Sequence, residues 1–264
     1  MFDKKIIKFY ILNIGISAID MNDVCLLVKD AILERKKKYI CVCPVSTIME
    51  CRRDKKVFTS VHSADLATPD GMPVVWIGRM KGHKNVRRVY GPDLMQKVCE
   101  VSVKNSYKHY LYGSSQDTLN QLKERLNEKY PGLMISGSFS PPFRQITEEE
   151  SAKIVGEIND SNPDIVWVGL GSPKQDLWMH EYRDRLNAPV LIGVGAAFDF
   201  LAGVKLQAPG WIRNNGFEWL FRLVTEPKRL WRRYLVDGSL FIYYVLIELF
   251  LNRFRSVKNP SKAD

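Results

Sequence analysis

The sequence predicts an α/β protein built on a buried, mostly parallel sheet. Two observations predict it. Short, nearly continuous apolar runs recur along the chain, and parallel strands covered on both faces read that way rather than as alternating patterns. Between them lie longer stretches with apolar residues at helical spacing, the order expected of βαβ units. Size agrees. The chain has 264 residues, 45% of them hydrophobic and 26% charged. That suits one large or two small domains with a full core. It excludes a mainly disordered chain, a collagen-like repeat and a polytopic membrane protein.

The elements follow in order. Lys4 and Lys5 precede an apolar stretch, Phe9 to Ile19, that imitates a signal peptide. No small-residue cleavage site follows, and Asn13, Gly15 and Ser17 give a strand-and-turn look. A helix comes next, capped by Asn22 or Asp23, with Val24, Leu27, Val28, Ala31 and Ile32 on one face. Tyr39 to Val45 is an apolar, β-rich run. His109 to Tyr112 is a short strand ending at Gly113. A helix over Gln116 to Lys129 leads through Tyr130-Pro131-Gly132 to a strand at Leu133 to Phe139. Helical Glu148 to Ile158 precedes the strand Asp164 to Leu170, and helical Pro173 to Leu186 precedes Pro189 to Val194.

Near Lys205 the chain turns basic and tryptophan-rich. From Lys205 to Arg233 it carries seven basic residues, Lys205, Arg213, Arg222, Lys228, Arg229, Arg232 and Arg233, against Glu218 and Glu226, with Trp211, Trp219 and Trp231 between them. Nucleic-acid binding, a solvated helix face, or attraction to a membrane surface with neutralisation of a diphosphate would each use such a stretch. Leu240 to Leu251 is apolar, contains Glu248 and is about a dozen residues long, against the ~20 that a span requires. Arg253, Arg255, Lys258 and Lys262 follow it. This suits a helix lying in the plane of an anionic membrane, or one packed on its own domain or on a sister subunit.

Lys and Arg outnumber Asp and Glu by 39 to 29, a formal charge of +10, which favours a polyanionic partner. The five cysteines, Cys25, Cys41, Cys43, Cys51 and Cys99, are odd in number and form no C-x-x-C. A disulfide framework is therefore not expected. The four histidines lack zinc-ligand spacing and no Asp-x-Asp occurs, so no metal site is expected.

Ligands of parallel sheets bind beyond the carboxyl ends of strands, which directs attention to the strand-to-helix joints. Thr68-Pro69-Asp70-Gly71 is either a turn or a carboxylate held in a cleft as general base. Gly91-Pro92-Asp93 places Asp93 before a helix (Leu94 to Val101) with Gln96 three residues on, a capping pattern that also leaves room for ligand binding. Gly169-Leu170-Gly171-Ser172-Pro173-Lys174-Gln175-Asp176 spells a capping box from Ser172 and Gln175 with Pro173 at the first helical position. The same glycines, the helix start and Lys174 suit a phosphate. Gly193-Val194-Gly195 with Asp199 lacks the third glycine of a dinucleotide fingerprint, yet allows a backbone to approach a nucleotide or sugar.

Five ordered blocks, TPDGMPVVWIGR, RVYGPDLM, VWVGLGSPKQDLWM, LIGVGAAFDFLAG and APGWIRNNGFEWLFRLVTEPKRLWRRYL, resemble the successive signatures of the WecG/TagA/CpsF glycosyltransferases, from about Ile11 to Tyr234. TPDGMP and SPPFR resemble the exopolysaccharide branch most. The resemblance implies a single Rossmann-like domain, 1–204, with a basic, helical appendage, 205–264, that contacts the membrane and completes the site. It implies an inverting, metal-independent transfer of a sugar from a UDP-sugar onto a polyprenyl-diphosphate-linked acceptor. The setting implied is the cytoplasmic face of a bacterial membrane, and the enzyme would be peripheral. The family's candidate base falls on Asp70. Its G-[AS]-P-K-Q block falls on Gly171 to Gln175, where Gln175 would contact a sugar, and its C-terminal arginines fall on Arg222 and Arg229, near the leaving diphosphate. Many members carry Thr-x-Asn after the first strand. Here the chain reads Val42-Cys43-Pro44-Val45-Ser46, so either Ser46 supplies the polar group or it is dispensed with. The expected binding set is thus Ser46, Asp93, Gly113, Gly171, Ser172, Lys174, Gln175, Gly193, Gly195, Asp199, Arg222 and Arg229. Expected partners are the donor, the lipid-linked acceptor, an anionic membrane and a possible second copy of the chain, without nucleic acid or cofactor. The rivals are an oxidoreductase using the Gly193 and Gly195 loop, and a non-enzymatic basic module binding membrane or nucleic acid.

Overall fold

The computed structural model describes residues 5–258. Lys4 and Lys262, and the side chains of Arg253, Arg255 and Lys258, lie outside what is described.

The chain opens with an antiparallel hairpin, β1 (Lys8–Ile11) and β2 (Ile14–Ser17). Leu12 and Asn13 form its two-residue turn, both at positive φ, the conformation that matches strand twist. Helix α1 (Met21–Leu33) follows. Its cap is Asp20, two or three residues earlier than expected, in a reciprocal box with Asp23. Then come β3 (Lys38–Cys43), α2 (Val45–Arg53), α3 (Lys55–His62), β4 (Leu66–Pro69) and α4 (Met72–Met80). The middle of the chain gives α5 (Gly91–Asn105), β5 (Lys108–Gly113), α6 (Gln116–Lys129), β6 (Met134–Phe139) and α7 (Glu148–Asp160). It continues with β7 (Ile165–Gly169), α8 (Lys174–Tyr182), β8 (Val190–Gly193) and α9 (Ala197–Leu201). The last part is helical: α10 (Gly210–Asn214), α11 (Glu218–Thr225), α12 (Pro227–Trp231), a π-helical turn (Arg232–Val236) and α13 (Asp237–Lys258).

Six strands form one sheet in the order β4-β3-β8-β7-β5-β6, and every neighbouring pair is parallel. The reason for the continuous apolar runs is visible in the core. Along β7, Val166 and Val168 face one layer while Ile165 and Trp167 face the other, and Tyr39, Cys41 and Cys43 alternate likewise with Ile40 and Val42 along β3. Both faces are covered, so no position is left for a polar residue. One layer holds the hairpin and side chains from α2, α3, α4, α7, α8 and α13, and the other holds α1, α5, α6 and α9.

Three sequence expectations are corrected. Val45 ends no strand; it starts α2, because Pro44 has no N–H to give the ladder. Asp93 caps nothing: α5 already begins at Gly91, and the Asp93 carboxylate accepts from Arg213. Ser172 and Gln175 make no capping box, since α8 starts at Lys174 and no side chain caps it.

The C-terminal helix is also longer than its apolar core suggested. Pro227 to Leu251 is a helical run of 25 residues whose most apolar 18-residue stretch has mean hydropathy 1.7, long and apolar enough to cross a membrane. The length argument against spanning therefore falls. The packing of α13 is nevertheless one-sided. Phe241 and Val245 are buried in the core, and Arg52 stacks on Tyr244. Asp237 pairs with Arg53 near one end. Further along, Glu248 accepts from Lys81 at 2.5 Å and from the Leu12 N–H at 2.6 Å. Ile242, Tyr243, Leu246 and Phe250 stay exposed on the other side.

Candidate active site

The carboxyl ends of β3 and β4 and the helices after Lys205 enclose a cleft of about 450 Å³. Pro44, Val45 and Ser46 line it from the start of α2, and Asp70, Gly71 and Met72 from the joint after β4. Glu218, Trp219, Arg222, Arg233 and Phe241 close it from the C-terminal helices. Gly71 at φ +84° turns the chain sharply after Asp70. The Asp70 N–H is held by the Cys43 carbonyl at 3.3 Å, so backbone fixes the carboxylate at the cleft floor.

Asp70 is 16% exposed at its side chain. Burial pushes its pKa above the ordinary carboxylate value, the Arg88 guanidinium pulls it back, and Glu218 pushes it up again. Arg88 Nε donates to Asp70 Oδ1 at 3.1 Å and its Nη2 to Glu218 Oε2 at 2.5 Å. The result is a partly open carboxylate with raised basicity, able to take a proton.

Four arginines line the cleft: Arg88, Arg213, Arg222 and Arg233. Arg88 and Arg213 are engaged, the latter with Asp93 at 2.9 Å. Arg222 and Arg233 are not fully engaged. Arg222 comes no closer than 4.0 Å to Glu226, and its buried Nε has no partner. Arg233 has no ion pair among the described residues; burial lowers its pKa, and Arg222 and Arg229 lower it further. Two partly buried guanidinium groups with charge to spare constitute a site for an anion.

A second group of expected residues gathers at the ends of β5, β7 and β8. Gly113 is so close to Gly169 that a Cβ would stand 2.7 Å from its carbonyl carbon. The neighbouring Ser114 reaches Asp199 at 3.4 Å, and Lys205 pairs with Asp199 at 2.5 Å. Beside them Gly171 and Ser172 lead into α8. Thr47 donates to Ser172 at 2.8 Å, and Ser172 donates to Asp176 at 2.5 Å. Asp176 is fully buried, which pushes its pKa up to about 6. Gln175 is 3% exposed and its Oε1 is unpartnered. Its amide lies under the loop after β8, where a Cβ on Gly193 would come within 3.0 Å and one on Gly195 within 3.5 Å. Lys174 points outward and is exposed.

Of the expected residues, Asp70, Ser46 and Arg222 therefore meet in the cleft. Asp93 stands behind it, orienting Arg213. Gly113, Gly171, Ser172, Gln175, Gly193, Gly195 and Asp199 share the neighbouring strand ends. Arg229 is exposed and pairs with Glu226 at 2.6 Å, away from the cleft lining. Arg88, Arg213, Glu218 and Arg233 went unnoticed in the sequence as site residues. Arg88 could have been found, because it opens the block RVYGPDLM. Arg233 could not: Pro227 breaks the helix phase after Arg222 and the π turn shifts it again. Among the described residues no group of three or more His, Cys, Asp or Glu could hold a metal. The five cysteines are free, and burial drives the thiols of Cys41 and Cys43 far from ionisation.

A parallel sheet with a carboxylate of raised pKa and incompletely paired guanidinium groups along its carboxyl edge is an arrangement suited to an α/β group-transfer enzyme. The group is a sugar: the chain belongs to the WecG/TagA/CpsF glycosyltransferase family, whose model matches residues 9–255. It is 31% identical over 183 residues, 69% of each chain, to a Bacillus subtilis (strain 168) protein named N-acetylglucosaminyldiphosphoundecaprenol N-acetyl-beta-D-mannosaminyltransferase. Proteins of the same name from Bacillus spizizenii (strain ATCC 23059 / NRRL B-14472 / W23) and Staphylococcus aureus (strain NCTC 8325 / PS 47) are 31% and 27% identical over 186 and 185 residues, each 70% of both chains. The oxidoreductase and binding-module readings are set aside.

Proposed function

We propose that this chain transfers a sugar from a UDP-linked donor onto a polyprenyl-diphosphate-linked N-acetylglucosamine, with inversion, in the synthesis of a cell-surface polysaccharide. The relatives' names supply the acceptor class and make UDP-N-acetylmannosamine the first donor to try. One observation carries the reading: a raised-pKa carboxylate, Asp70, shares a cleft with two incompletely paired arginines, Arg222 and Arg233. Asp70 accepts the proton of the acceptor hydroxyl as that oxygen attacks the anomeric carbon. The bond to UDP breaks on the opposite face. Arg222 and Arg233 offset the charge that grows on the leaving diphosphate. The nucleotide and donor sugar occupy the strand ends around Gly113, Asp199, Gly171 and Gln175, at the point where successive connections leave the sheet in opposite directions.

Residues 1–204 act as the catalytic core and 205–264 as an appendage that closes the cleft and meets the membrane. Support comes from Trp76, Trp219 and Ile242, which line the cleft and are themselves exposed, and from the apolar outer side of α13. Tethered by Glu248 and Asp237, α13 suits a helix lying along the cytoplasmic membrane surface better than one crossing it. The test is to incubate the protein with a panel of UDP-sugars and an undecaprenyl- or short-chain polyprenyl-diphosphate N-acetylglucosamine. Product in one donor lane and inversion at the anomeric carbon are expected. Release of UDP at the same rate without acceptor would sink the transferase reading.

A further inference from the structure

Arg88 is divided between two carboxylates. Its Nε donates to Asp70 Oδ1 at 3.1 Å, its Nη2 to Glu218 Oε2 at 2.5 Å, and its Cζ lies 4.2 Å from the Tyr90 ring centre. A guanidinium beside a carboxylate ordinarily closes on it as a two-pronged fork, one N–H to each oxygen. Here the fork is not made. Among the described residues only Oδ1 of Asp70 is engaged, and Oδ2 is left to accept from something else. Glu218, 12% exposed at its side chain on α11, holds the far end of the guanidinium. The Tyr90 ring supports its face.

We propose that Glu218 is a positioning residue: by holding Arg88 end-on it stops the guanidinium from forking onto Asp70 and keeps Oδ2 free for the acceptor's proton. This rests on the assignment of Asp70 as the base. With Glu218 neutralised, its side-chain oxygen offers Arg88 only a hydrogen bond to an uncharged acceptor, about half as strong as one to a carboxylate, and the guanidinium is drawn onto both oxygens of the one carboxylate left, Asp70. The electrostatics point the same way. The charged and titratable groups facing Asp70 are Arg88 and Tyr90 from the loop before α5, Cys43 from β3, Glu218 from α11 and Arg233 from the π turn. Of the carboxylates among them, Glu218 is the one that raises the Asp70 pKa. Removing its charge leaves Asp70 a weaker base.

Glu218→Gln keeps the shape and removes the charge. Expected is a fall in kcat of about tenfold, with KM for the acceptor unchanged. The acid limb of the pH profile should move down by about 1 pH unit, the lower end of what one adjacent charge does to a carboxyl. Glu218→Asp should recover most of the rate. In an Arg88→Lys background, which cannot fork, Glu218→Gln should cost little more, a non-additivity that a purely structural role would not produce. The Asp70 carboxyl carbon, followed by NMR and assigned with Asp70→Asn, gives a readout independent of turnover, and its midpoint should fall in the folded Glu218→Gln protein. If Asp70→Asn abolishes turnover but the Asp70 midpoint is unmoved by Glu218→Gln, the proposal alone fails. If Asp70→Asn retains turnover, the base assignment fails and the proposal with it.

Discussion

At Asp70, burial and an arginine pull in opposite directions, and burial wins. Asp70→Asn keeps an oxygen for Arg88 and therefore the shape of the cleft floor, but it cannot take a proton. Turnover should fall by about 10²–10⁴-fold, with an unchanged thermal melt; initial rates beside a calorimetric scan check both. His109 offers a test of stability rather than activity. It is buried, accepts from Trp167 Nε1 at 2.8 Å, and burial lowers its pKa to about 3. Between pH 3 and the ordinary 6.5 the unfolded chain binds a proton that the folded one refuses. Stability should thus fall as pH drops below 6.5, by up to ~1.4 kcal/mol per pH unit. Asp176 acts with the opposite sign: its pKa is raised to about 6, so the folded chain holds the extra proton between 3.8 and 6. Comparing wild type with His109→Gln, which can still accept from Trp167, isolates the histidine. The wild-type loss on acidification should be steeper than the variant's in denaturant titrations from pH 7 to 4.5. Asp70 could be located because Pro-Asp-Gly is so local a signal, but that signal alone fits a turn as well, and only the family resemblance pointed to a base. Asp176 was not, since nothing in its neighbours announces full burial beside Ser172.

At the scale of elements, apolar runs marked the strands well because both sheet faces are covered, whereas the starts of α5 and α8 were misplaced because the polar residues read as caps are engaged with other side chains. Asp93 looked like a cap and binds Arg213; Ser172 looked like a cap and binds Asp176. The same confusion affected α13. Its apolar stretch gave no measure of the helix, because α12 and the π turn continue it without a break. What distinguishes a surface helix from a spanning one here is which side is spoken for. Phe241, Val245 and Glu248 face the core, while Leu246 and Phe250 are about 60% exposed, at 60% and 62%. Leu246→Asp with Phe250→Asp should leave the melt unchanged, since neither side chain is in the core. It should weaken binding to anionic liposomes by about 10²–10⁴-fold, each lost side chain removing ~1.5–3 kcal/mol of insertion. Flotation at fixed salt checks this. Unchanged flotation would move the docking surface elsewhere.

For the whole molecule, the question raised by the proposed transfer is how a diphosphate would be neutralised. The sheet positions Asp70, but the incompletely paired guanidinium groups of the cleft come from the far end of the chain. Arg222 lies in α11 and Arg233 in the π turn, and they become one site only when those helices fold back over the ends of β3 and β4. Sequence could name the basic segment, yet not which arginines turn inward, because Pro227 and the π turn reset the helical phase between them. Arg229, on which the family resemblance put a site arginine, spends its charge on Glu226. If guanidinium groups carry the leaving diphosphate, Arg222→Ala and Arg233→Ala should each lower turnover about 10²–10³-fold, the scale of one lost charge-stabilising donor. Arg229→Ala should change it less than tenfold. These differences should persist with a water-soluble, short-chain acceptor, which separates a role in the cleft from one at the membrane. The same argument predicts full activity in EDTA, since the described residues hold no ligand cluster for a divalent ion to share that work. Activity lost in EDTA and restored by magnesium would instead assign part of the diphosphate's neutralisation to a cation brought in with the donor, and the arginine variants would then lose most at limiting magnesium.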